Sequence, residues 1–309
     1  MVLQSLKFVG TQVLILFIIM AVGFVCRKLK VLTESGVKGL TDLMLCVITP
    51  CMMFKAFQQP FEVSLLRGFL ITLGVVAVMY TVEIGLAKLL LHDKDDTRRR
   101  VLHFGAVIPN CGYMALPLLQ ELWGAEAVIY GAAFNTAHVL FLWTYGLSLM
   151  SGGKAKLSTR KALVNPGTVS AVIGLILFFC PFRLPVLIAR PIDYLAALNA
   201  PVPMLIIGFY LAGLDWRSVL RQGNEYLMLV LRLLAAPLLT LGLLWLCGVR
   251  GVLLITNVVC MGAPVATMCT MFAAKYDADP TLSAGMVAVS TVLSVLTMTL
   301  VVGFTSYIA

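Results

Sequence analysis

Two short stretches place helix-breaking residues within long apolar runs: Pro109, Asn110, Cys111, Gly112 and Tyr113 in VIPNCGYMALPLL, and Gly262, Ala263, Pro264, Val265 and Thr267 in CMGAPVATM. Proline removes a backbone donor and clashes with the preceding turn, while glycine lets the chain leave helical dihedrals. Each stretch is therefore expected to interrupt a helix. Backbone groups freed at membrane depth are costly unless they are buried in protein or line a wet cavity. Beyond each interruption a new half-helix begins, its N-terminal end carrying roughly half a positive charge. Two such ends converging near the membrane midplane favour an anion. Neither stretch contains an Asp or Glu, which argues against a cation/proton antiporter site. A sodium-coupled symporter stays open, since Asn110, Thr267, Thr270 and backbone carbonyls can hold sodium.

The ionisable residues inside the apolar runs come next, because a charge at membrane depth is expensive. His138 falls near the centre of a run, one turn from Asn135 and on a similar helix face. It can bind substrate, take up a proton near neutral pH, or sit as a neutral hydrogen-bonded ring. Arg232 also lies deep, where it either attracts an anion or holds a backbone carbonyl. Glu83 and Lys88 lie near the end of their run, where long side chains reach the interface. No HExxH, GxSxG or paired Asp is present in the runs, so the chain reads as a non-enzyme without a cofactor. The methionines and the eight cysteines lack ligand spacing and read as packing residues, so no metal site is expected.

The elements that must position these residues are membrane helices. The chain has 309 residues, 61% hydrophobic and 12% charged, with a mean hydropathy of +0.99, where a soluble domain is roughly a quarter charged. Its apolar runs approach the roughly 20 residues that cross about 30 Å of hydrocarbon, and they lack the alternation of barrel strands. The first run is long, has one preceding lysine and no small-x-small site, and reads as a retained span rather than a leader. Ten spans are expected, at 8–26, 37–57, 65–91, 101–120, 126–150, 166–182, 190–212, 224–247, 251–274 and 281–306. Most of the arginines and lysines behind the net charge of +9 fall in loops after odd-numbered spans, such as Arg27, Lys28, Lys94, Arg98, Arg99 and Arg100. Orientation explains that charge better than nucleic-acid binding does, and it places both termini outside the cytoplasm.

The interruptions recur. Pro50 and Pro109 in the first half are matched, at an offset of about half the chain, by Pro203 (with Pro201) and Pro264 in the second. Five spans per half is an odd number, so the halves form two inverted repeats, with spans 4 and 9 as the broken crossing helices. The expected organisation is a first repeat over 1–151, a short basic cytoplasmic linker over 152–164 and a second repeat over 165–309.

In order and spacing, the stretches ITPCMMFKAF, PNCGYMALPLL, AAFNTAHVLFLWTYGLSLMSG, NPGTVSAVIG and APVATMCTMFAAKYDADPTLSAGMV resemble the auxin efflux carrier family over nearly the whole chain. Its fold is shared with bile acid sodium symporters and sodium/proton antiporters. The resemblance implies a scaffold of spans 1, 2, 6 and 7, a transport domain of spans 3–5 and 8–10, elevator-like motion and a homodimer in a bacterial inner membrane. It also implies small organic anions such as dicarboxylates as substrates, with a coupling proton or sodium ion or none. Pro109 and Pro264 match the family's crossover prolines, and Asn110 matches the polar residue beside the first, whose amide can donate to a carboxylate. Asn135 looks like a second polar residue at similar depth. Two features depart from the plant members: the long hydrophilic loop is reduced to the stretch around SGGKAKLSTRK, and LRGFLITLG has no match to their acidic residue.

Overall fold

The computed structural model describes residues 2–57, 66–153, 184–198, 200–213 and 223–308, with single positions at 169, 173 and 176; for a few of these, Tyr113 among them, only the backbone is described. The sixth expected span and nearly all of the expected linker lie outside the described residues. The described chain is helical: α1 Val2–Lys28, α2 Glu34–Leu43, α3 Thr49–Phe57, α4 Leu66–Leu90, α5 Asp96–Val107, α6 Leu116–Phe141, α7 Leu147–Met150, α8 Val186–Ala197, α9 Pro201–Leu211, α10 Gly223–Val230, α11 Ala236–Leu246, α12 Gly251–Met261, α13 Met268–Lys275 and α14 Pro280–Ile308. Among the described residues five helical stretches are long and apolar enough to cross a membrane: Arg67–Leu90, Glu126–Met150, Val186–Leu211, Gly223–Leu246 and Pro280–Ile308.

Prolines shape these helices in two ways. Single π-helical turns at Met44–Ile48, Cys111–Ala115 and Leu231–Ala235 are each followed two residues later by a proline, Pro50, Pro117 and Pro237. A proline ring clashes with the carbonyl four residues back. Widening the preceding turn moves that carbonyl away, and the residue before each proline bonds five residues back, as Thr49 does to Met44 and Ala236 to Leu231. Pro50 therefore bends the second expected span but does not interrupt it: α2, the π turn and α3 follow one another without a gap. Pro201 and Pro203 stand in the first turn of α9, where proline is tolerated. The segment α6 changes direction at Gly124, whose φ of 69° and ψ of −150° suit glycine alone.

Helices α1 and α9 touch backbone to backbone. A Cβ on Gly23 would lie 2.2 Å from the Leu205 carbonyl oxygen, and one on Gly208 would lie 2.0 Å from that of Met20. Arg27 tightens the same contact by donating to the Phe209 carbonyl at 2.9 Å. Gly208→Ala must push the helices apart and is expected to cost about 1–3 kcal/mol. Thermal melting in detergent checks this against Gly74→Ala, whose Cβ meets nothing within 4 Å; equal midpoints would remove the claim.

At the polar ends of the bundle, Lys275 pairs with Asp42, and Lys55 with Asp193 at 3.2 Å. Asp95 caps α5, accepting from the Thr97 amide at 2.8 Å and its hydroxyl at 2.7 Å. These bonds, the hydroxyl's first, hold its carboxyl below the usual range. The cap's contribution is present above the unfolded-state value and is lost as pH falls through the lower folded-state value.

Candidate functional site

The site is built where two helices stop. Helix α5 ends at Val107 and helical backbone resumes at Cys111; α12 ends at Met261 and α13 starts at Met268. The extended residues between them pair across the gap, with Pro109 opposite Val265 in an antiparallel bridge. The Asn110 amide donates to the Pro264 carbonyl at 2.7 Å, and the Ala266 amide to the Ile108 carbonyl at 3.0 Å. Proline's missing donor faces no loss here, because Pro109 and Pro264 enter this pairing through neighbours and carbonyls only. The Val265 amide is taken by the Ser290 hydroxyl at 3.1 Å. Backbone groups that would be orphaned in a dry interior are thus mutually satisfied.

The four helix ends at this crossing are served differently. The two C-terminal ends, which carry partial negative charge, share one guanidinium. Arg232 is fully buried and donates through Nη1 to the carbonyls of Ala106 at 3.2 Å and Val107 at 2.9 Å, and through Nη2 to that of Met261. Its counter-charge is Glu83, 3.5 Å away. Glu83 is 5% exposed, so the interfacial placement expected from its position near the end of its run is corrected. Helix α4 turns that carboxylate inward toward Arg232, and a short reach to a buried cation outcompetes a longer one to the interface. Arg232 itself takes the carbonyl-holding role.

The two N-terminal ends border a small cavity of about 40 Å³. Pro109, Asn110, Cys111, Gly112, Asn135, His138 and Thr267 line it, joined by Thr49 and Met52 from the second expected span and by Val139, Leu142, Ala266 and Met268. Gly262, Ala263, Pro264 and Val265 do not line it: they support it from behind, and Ala263 and Val265 are completely buried. The Tyr113 side chain lies outside the described residues. Of the atoms that could hold sodium, Asn110 and Thr267 reach the cavity, whereas the Thr270 hydroxyl accepts from Ser283 at 3.2 Å.

The lining has hydrogen-bond donors and no formal charge. The Asn110 side chain is 4% exposed and has no hydrogen bond among the described residues. Asn135 accepts through Oδ1 from the Cys111 thiol at 3.7 Å, which leaves its amide hydrogens for the cavity. Tyr80, fully buried on α4, meets His138 Nδ1 at 2.6 Å. The phenol makes no other hydrogen bond among the described residues, so it donates; otherwise its O–H would be buried unpaired. His138 then carries its proton on Nε2, the nitrogen left for the cavity. Thr49 adds a buried hydroxyl without a partner. On the backbone, the first intrahelical bond after Pro109 starts at the Met114 amide and the first after Pro264 at that of Cys269. The amides of Cys111, Gly112, Thr267 and Met268 therefore precede both ladders.

Tyr80, Thr49 and the Arg232–Glu83 pair were not singled out as site residues from sequence. Thr49 had a local signal, standing directly before Pro50 in a bent span. Tyr80 had none, since a tyrosine in an apolar run is ordinary packing.

The model of the membrane transport protein family matches residues 8–159 and then 154–302, covering nearly the whole chain in two successive matches. The chain belongs to this family. It is the auxin efflux carrier family whose motifs the sequence resembles, and its members are transporters, not enzymes. An uncharacterized transporter of Methanothermobacter thermautotrophicus is 24% identical over 93% of this chain and 95% of its own length. Another, of Methanocaldococcus jannaschii, is 22% identical over 93% and 96%. The protein is accordingly a membrane transporter with several apolar helices.

Proposed function

We propose that this family member is a secondary carrier of small organic anions, carboxylates foremost, with the cavity at the paired helix interruptions as its binding site. The observation that carries the reading is the set of donors on the lining: the Asn110 and Asn135 amides, the His138 Nε2–H and the leading amides of two half-helices border one space that holds no carboxylate. Such a set matches the acceptor oxygens of a carboxylate, which gains from charge-assisted bonds and from two positive helix ends. A sodium ion would draw instead on the Asn110 side-chain oxygen and the Thr267 hydroxyl, without the Thr270 hydroxyl, which is engaged with Ser283.

The cavity's 40 Å³ is close to the roughly 30 Å³ share of one water and far below the several hundred Å³ of typical ligand pockets. Transport on this reading needs the site to widen, which an elevator-type alternating access supplies. In that scheme ten spans form two inverted five-helix repeats, spans 1, 2, 6 and 7 hold still as a scaffold, and spans 3–5 and 8–10 carry the site. Thr49 and Met52 then belong to the scaffold wall, and the other lining residues to the moving part. The protein works in the cell membrane with both termini outside, as a homodimer.

A thermal-shift screen tests the substrate class: lactate, succinate and malonate are each added to the purified protein, with and without sodium. A carboxylate held at hundredfold its dissociation constant adds about 2.7 kcal/mol of apparent stability, and matched amines should add nothing. Stabilisation by amines or sodium alone would sink the anion reading.

A further inference from the structure

The Glu83–Arg232 pair is incompletely satisfied. Arg232 keeps Nε without a partner, and Glu83 keeps Oε1 without one, while the 3.5 Å contact between them is long for a charged hydrogen bond. Both side chains are buried within stretches long and apolar enough to cross a membrane, where an uncompensated charge is costly. Arg232 cannot give up its proton. It also cannot leave, because it holds the carbonyls of Ala106, Val107 and Met261. The Val107 carbonyl that it holds is two residues before Pro109 and three before Asn110, both on the cavity wall. With the cavity empty, Glu83 as a carboxylate balances Arg232 and the buried charge sums to zero. A carboxylate ligand entering the cavity would make that sum negative.

We propose that Glu83 is a proton-binding site coupled to the anion site, so that one proton and one carboxylate are bound together and the buried charge stays at zero in both states. This rests on the anion-carrier reading. The proton comes from solvent and is held on Oε1, the oxygen with no partner, and Arg232 then balances the ligand instead of Glu83. No bond other than the O–H is made or broken. Among the described residues, the other titratable groups around the pair are Tyr80 on the same helix, His138 on α6, Cys111 at the start of the second half-helix and Cys260 on α12. A thiol or a phenol already carries its proton in the neutral form and offers no site for another. His138 is the rival, but its Nδ1 accepts from Tyr80, so taking a proton there reverses that bond, leaves the buried phenol O–H without an acceptor and adds a second cation to an interior that already holds Arg232.

Calorimetric titration of the purified full chain with lactate, in buffers of different ionisation enthalpy, counts the protons directly. The wild type should take up about one proton per lactate, and binding should weaken by about tenfold per pH unit on the alkaline side. Glu83→Gln should take up none and bind lactate with an affinity that no longer follows pH. Proton uptake that persists in Glu83→Gln but vanishes in His138→Gln would overturn the proposal, as would lactate binding by the wild type with no proton uptake. Where Glu83→Gln fails to fold, His138→Gln decides: one proton per lactate retained there supports Glu83, and its loss overturns the proposal. Absence of any carboxylate binding by a well-folded wild type would overturn the anion reading, and this proposal with it.

Discussion

Arg232→Ala is expected to be among the most destabilising single substitutions in the protein. The guanidinium joins the ends of α5 and α12 by donating to Ala106, Val107 and Met261 and neutralises Glu83, and it is fully buried. Removing it strands three carbonyls and an anion together, and breaking one partner out of a buried pair costs about 3–5 kcal/mol. The melting midpoint in detergent should drop by roughly 10 °C, or the protein should fail to elute as a single species. Arg232→Lys should recover only part of the loss, because one ammonium cannot span carbonyls from two helices as a planar fork does. Wild-type melting of Arg232→Ala would show that the two helix ends hold together without it.

Asn110→Ala is expected to do the opposite, leaving the fold intact and removing transport. The backbone bond from Asn110 to Pro264 survives the substitution, and the lost side chain has no hydrogen bond among the described residues. Its effect on stability should stay within about 0.5 kcal/mol. A charge-assisted hydrogen bond to a carboxylate is worth about 1.5–3 kcal/mol, so carboxylate uptake into proteoliposomes should fall roughly ten- to hundredfold. Asn110→Asp should fall further, since it places an anion where the substrate's own charge must sit. Uptake at the wild-type rate by a well-folded Asn110→Ala would remove the site assignment.

Composition and near neighbours along the chain account for the membrane helices, the family and part of the cavity wall. Long apolar runs with basic loops require membrane helices, because an unpaired peptide group in hydrocarbon is too costly for any other open structure. The order of short motifs along those runs was enough to indicate the family. The one-turn spacing of Asn135 and His138 put them on one face, and both line the same cavity. Pro50 shows where local reasoning stops: the residue marks a disturbance, but whether a helix breaks or widens into a π turn depends on what can satisfy the freed carbonyl.

Which groups meet across the chain follows from packing in three dimensions. That Asn110 pairs with Pro264, that Tyr80 fixes the tautomer of His138, and that Arg232 gathers carbonyls from two helices are contacts between segments far apart in sequence. Glu83 is the sharpest case. Its distance from the end of an apolar run says that it could reach the interface, but the direction of a side chain from a helix depends on which neighbours pack against each face. Periodicity carries no information about those neighbours; the packing of α4 beside α5 and Arg232 does.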